Sequence, residues 1–121
     1  MSLPASGDPL MLLHNPRCSK SRAALALLEE KGVEVNVRRY LEEPLGREEL
    51  VELARRLGRP AREWIRRGEA AFADSGLSAE ADDAPLMDLM AREPIVMERP
   101  ILVGEKTAVV GRPPERVLEL S

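Results

Sequence analysis

Residues 10 to 37 carry the pattern that most limits the fold. Leu10 to His14 is a short apolar run, NPRCSKSR is a punctuated turn, and Ser19 to Lys31 is built from good helix formers. Val33, Val35 and Val37 then alternate with polar residues. A continuous apolar run suits a buried strand, and alternation suits a strand with one packed face. Ala24, Leu25 and Leu28 share one side of the intervening helix, which Gly32 ends. Strand, helix and strand in so short a span predict a parallel βαβ unit with a right-handed crossover, and so an α/β protein.

The next stretch has helical period. Leu50, Leu53, Ala54 and Leu57 recur along Arg47 to Leu57, and Gly58 stops them. Pro60 can open a further turn or helix through Arg67, since proline is tolerated in a first turn. Gly68 and Gly76 bracket a polar, alanine-rich segment that the pattern does not place. Pro85 to Arg92 reads as a short helix closed by Pro94. Ile101 to Val103 and Thr107 to Val110, separated by GEK, point to an antiparallel hairpin. Gly111 ends the second strand, and PPERVLEL reads as a terminal helix with prolines at its start. The expected organisation is a single domain over residues 1–121, with a flexible leader at 1–9 and a helical insertion at about 45–94. Its order is βαβ, helices, ββα.

Composition removes several functional classes. A chain of 121 residues with 44% apolar side chains can build a core without metals or disulfides. Cys18 and His14 are the sole cysteine and histidine, too few for an internal disulfide or a zinc site. The aromatics are Tyr40, Trp64 and Phe72 alone and the net charge is -3, which argues against nucleic-acid binding despite the arginines between 55 and 67. No apolar run reaches bilayer length and the first residues lack a secretion signal, so no membrane partner and a cytoplasmic location are expected. Of the 18 basic residues only Lys20, Lys31 and Lys106 are lysines. Arginine's fork of donors suits oxyanions.

The loop after the first strand gathers His14, Asn15, Arg17, Cys18, Ser19, Lys20, Ser21 and Arg22. It sits at the carboxyl end of a buried strand, the usual place for a site in an open α/β sheet. Unpaired N–H groups at a helix start stabilise a thiolate and any oxyanion beside it, so Cys18 should ionise below the ordinary thiol value of about 8.5. Arg17, Lys20 or Arg22 would act in the same direction. His14 either supports the thiol, by accepting a hydrogen bond or adding positive charge, or is a strand-end residue making one backbone hydrogen bond. Cys18 as a buried small hydrophobe fits poorly beside Arg17 and Ser19. Ser21 stands where a C-x-x-C redox pair needs its second cysteine, and Arg22 lies four positions after Cys18, where a cysteine phosphatase loop needs arginine at six. There is no GxxxxGK[ST] phosphate loop.

Four segments in unbroken order, HNPRCSKSR at 14–22, YLEEP at 40–44, ERPILV at 98–103 and VGRPPERVLEL at 110–120, resemble the ArsC family of arsenate reductases. The resemblance is to the glutaredoxin-coupled kind, a family that also includes Spx-type regulators. It implies a thioredoxin-like fold with a mixed four-stranded sheet and a helical insertion. It also implies that Cys18 is the catalytic nucleophile, with His14 beside it and Arg22 at the first helix, and that Arg66, Arg99 and Arg112 bind the oxyanion. Asn15, Ser19, Lys20, Ser21 and Pro100, the last as a cis-proline, would support the site. Cys18 would attack arsenate, and glutathione or a similar small thiol would act as co-substrate. A glutaredoxin-like protein would complete reduction to arsenite. No bound cofactor and a monomer are expected. Ser19 and Lys20 stand where the familiar motif HNPxCGTSR has Gly and Thr. Two alternatives remain, a glutathione-linked thiol oxidoreductase acting on another substrate and an Spx-like module that binds RNA polymerase.

Overall fold

In the computed structural model, which describes residues 2–120, four strands form one sheet. They are β1 (Leu10–Leu13), β2 (Val35–Arg38), β3 (Ile101–Val103) and β4 (Ala108–Val110), in the order β2-β1-β3-β4. Met1 and Ser121, the ends of the expected domain, lie outside the described residues. β1 runs parallel to β2 and antiparallel to β3, and β3 runs antiparallel to β4, the expected mixed sheet of a thioredoxin-like fold. Leu13 is paired with both Arg38 and Ile101, and Ile101 is paired with Val110. The carboxyl ends of β1, β2 and β4 and the amino end of β3 therefore share one end of the sheet.

Alternation along the strands divides the core in two. Met11, Leu13, Ile101 and Val103 face the helical insertion, packing with Leu50, Leu53, Trp64, Leu86 and Met90. Leu12 and Leu102 face the other way, onto Ala24 and Leu28 of α1 (Ser19–Glu30) and Val117. Leu25 is only partly buried against this second cluster. β2 is an edge strand, so the packed face expected there is incomplete: Val37 is 37% exposed while Arg38 is buried. Arg38 holds the following loop in place, donating to both carboxylate oxygens of Glu49 at 2.8 and 3.0 Å and to the carbonyls of Glu43 and Pro44. Glu49 also accepts the Gly46 N–H at the start of α2 (Arg47–Leu57).

The insertion departs from expectation after α2. Pro60 opens a turn, one of the two expected forms, but it is a single 3-10 turn over Ala61–Glu63 that stops short of Arg67. Ile65 pairs with Met97 in an isolated antiparallel bridge, flanked by Arg66 N–H on Val96 O and Glu98 N–H on Trp64 O. Those extended pairings claim the backbone that a longer helix would need. The unplaced alanine-rich stretch contains α3 (Ala70–Ser75), ended by Gly76 at φ +73°, a conformation that glycine adopts without a Cβ penalty. α4 spans Asp83–Arg92 and a 3-10 turn covers Pro94–Val96.

Two further segments differ. Pro4, within the expected flexible leader, is buried, and its carbonyl accepts from Arg56, which also donates to Gly104 O. The terminal segment is a 3-10 helix over Pro114–Glu119 and not an α-helix. The turn seats Val117 in the core. Both Arg99–Pro100 and Arg112–Pro113 are cis. Among the described residues no helix is long and apolar enough to cross a membrane.

Gly111, just past β4, packs tightly against Pro100 and Val117. Its N–H donates to Pro100 O at 2.8 Å, and a Cβ there would meet both Pro100 Cγ and Val117 Cγ1 at 2.8 Å. Neither the proline ring nor the packed valine can yield cheaply. Gly111→Ala should therefore lower stability by about 1–3 kcal/mol, read from urea unfolding; a variant as stable as the parent would contradict this packing.

Candidate active site

Cys18 is the N-cap residue of α1, extended at φ -95° and ψ 123°, half-buried, with its N–H on Asn15 O. Burial pushes its thiol pKa up. The Ser21 N–H, the Arg99 side chain and the Lys20 N–H more than offset this, and the net pKa lies below the ordinary thiol value. The helix start thus acts as expected, but the side-chain charge comes from Arg99, across the sheet end, and not from Arg17, Lys20 or Arg22. Those three side chains, like Ser19, are exposed, and Arg22 donates to Pro16 O.

Beneath the thiol the loop is tied by buried polar groups. Ser21 Oγ accepts the Asn15 N–H at 3.0 Å and lies 2.7 Å from His14 Nδ1. Its own hydrogen is left for Nδ1, an arrangement that suits a neutral ring protonated on Nε2. Burial, then Arg39 and Arg22, hold the His14 pKa below its ordinary value. His14 thus ties the loop through Ser21, and the direction of its shift favours the neutral ring. Its N–H donates to Arg38 O, so the strand-end reading also holds. Asn15 Oδ1 accepts the Arg17 N–H, closing the turn. Ser21, read as the residue that breaks a redox pair, is the hydrogen-bonding centre of the loop.

The three arginines expected at an oxyanion site converge here. Arg99 and Pro100 lead into β3, and Arg112 leaves β4 at the same sheet end, its Nη1 donating to Arg99 O at 3.1 Å. The Ile65–Met97 bridge carries Arg66 in from the insertion. Sequence reasoning missed the two carboxylates between them. Glu98 Oε1 lies 2.8 Å from Arg66 Nη1, and Glu69 Oε1 lies 3.3 Å from Arg66 Nε and 3.6 Å from Arg99 Nη1. Glu98 adjoins the ERP segment and could have been noticed; Glu69 lay in the stretch whose fold was not legible. Among the described residues, no cluster of three His, Cys, Asp or Glu side chains is placed to hold a metal ion.

The sequence matches the model of the ArsC family over residues 13–120. The chain belongs to the ArsC family. This member is 48% identical over 115 residues to the uncharacterized protein YfgD of Escherichia coli strain K12, covering 90% of this chain and 93% of that one. It is 40% identical over 110 residues to an arsenate reductase of Neisseria meningitidis serogroup B, covering 89% and 94%. Among solved structures, the arsenate reductase from Vibrio cholerae superposes with a TM-score of 0.87 at 41% identity, covering 93% of this chain and 97% of that one.

For this ArsC-family site the electrostatics give a direct test. A thiolate is the form that reacts, so alkylation of Cys18 by iodoacetamide should rise with pH about a midpoint below that of a free thiol. Arg99→Gln removes a charge and a donor that favour the thiolate, and should move the midpoint upward. An unmoved midpoint would show that Arg99 does not act on the sulfur.

Proposed function

We propose that this protein reduces a tetrahedral oxyanion, arsenate first among candidates, through a covalent adduct on Cys18. The observation that carries the reading is the half-buried Cys18 at the start of α1, its thiol held toward the thiolate by two backbone N–H groups and Arg99. The relatives named arsenate reductase support the oxyanion, and at the coarser level they support oxidoreductase chemistry.

In this reading Arg66, Arg99 and Arg112 bind the anion and neutralise charge that builds up on its oxygens. The Cys18 thiolate forms a sulfur–arsenic bond while one oxygen departs as water or hydroxide. Reduction of As(V) to As(III) takes two electrons, and two thiols becoming one disulfide supply them. Cys18 is the only sulfur of a cysteine in the chain, so the second comes from glutathione or a similar small thiol, and a glutaredoxin-like protein completes the reduction to arsenite and returns Cys18 to its thiol.

The protein supplied with arsenate, glutathione and glutaredoxin should release arsenite, and Cys18→Ser should abolish turnover. If wild type releases no arsenite with glutathione and glutaredoxin or with other small-thiol systems, the arsenate assignment falls. Release of glutathione from a mixed disulfide without arsenite would transfer the same thiol chemistry to another substrate.

A further inference from the structure

Tyr40 follows β2 by two residues, so the parallel pairing of β1 and β2 brings it to the sheet end that carries the Cys18 loop. The Arg38 network fixes the loop that contains it. Its side chain is 0% exposed. Among the described residues two buried side-chain polar atoms have no hydrogen-bond partner, and they are Tyr40 Oη and Arg99 Nε. The Asn15 side chain comes near enough to the phenol to draw its pKa down slightly, without the distance and angle of a hydrogen bond.

A buried hydroxyl without a partner is costly, and phenylalanine would fill the same space without that cost. Buried polar groups in folded proteins are nearly always paired, so an exception calls for a reason. Both exceptions lie at the sheet end that carries the Cys18 loop, Tyr40 two residues past β2 and Arg99 two residues before β3. Burial pushes the Tyr40 pKa up to about 12, with Arg99 drawing it down, the Cys18 thiolate raising it and Arg66 drawing it down. The phenol thus stays a neutral O–H donor at working pH, electrically in touch with the same three side chains that the proposed reaction uses.

We propose that Tyr40 is a further oxyanion-binding residue of this site, its O–H donating, together with Arg99 Nε–H, to oxygens of the anion held beside Cys18. The inference rests on the oxyanion-binding reading of the site given above. A neutral donor adds no charge, so it strengthens anion binding while leaving ionisation of the thiol to Arg99 and the α1 N–H groups.

The test compares wild type with Tyr40→Phe by three readouts: protection of Cys18 from iodoacetamide by arsenate, the pH midpoint of alkylation, and the thermal midpoint without arsenate. The variant should need about tenfold more arsenate for equal protection, the loss of one hydrogen bond to a charged group. Its alkylation midpoint should not move, and its thermal midpoint should equal or exceed that of wild type. Protection retained in full by Tyr40→Phe would overturn the inference while leaving the oxyanion site intact. A raised alkylation midpoint would overturn it by assigning the hydroxyl to the sulfur, and a lowered thermal midpoint would overturn it by giving the hydroxyl a structural partner. Absence of arsenate protection in wild type would remove the oxyanion reading and this inference together, so the two failures are distinguishable.

Discussion

The pairing of β1 with a parallel neighbour on one side and an antiparallel neighbour on the other decides where chemistry can occur in this chain. A parallel partner returns through a helix, so α1 begins at the carboxyl end of β1 and presents its unpaired N–H groups there. An antiparallel partner enters at that same end, so the residue just before β3, Arg99, arrives opposite the helix start. Residues far apart in sequence thus meet because Leu13 is paired with both Arg38 and Ile101.

Charge at this end is arranged in competition as well as in concert. Arg66 and Arg99 share Glu69, and Arg66 also meets Glu98. These side chains are largely buried, Arg99 most of all, and the shared carboxylates hold the guanidinium groups in position. The sulfur has no such competitor. Its balance is between burial, which opposes ionisation, and donors that favour it, with Arg99 the largest side-chain influence.

Much of this was legible in the sequence because local signals agreed with the global fold. The apolar run before NPRCSKSR, the heptad-like leucines of α2 ending at Gly58, and the two apolar runs around GEK each have one natural reading. The parts that escaped depend on distant partners. Nothing local in Trp64 to Arg67 announces that Ile65 will pair with Met97, so where the turn or helix after Pro60 stops is not legible until that partner is known. Val37 looked inward by alternation, but β2 lies at the sheet edge, where its face is only partly covered. The Cys18 loop was recognisable from its crowding, whereas the identity of the side chain that charges the thiol was not, since Arg99 is brought there only by tertiary structure.

The bridge between Ile65 and Met97 has a practical corollary. Trp64, the sole tryptophan, is buried one residue from it, with its carbonyl on Glu98 N–H and its indole Nε1 donating to Arg59 O. Its backbone is thereby tied to Glu98 across the seam, and its indole to the Arg59 carbonyl. The protein carries a built-in fluorophore at the joint between insertion and sheet, so rearrangement of the arginine cluster can be followed by intrinsic emission without any attached label.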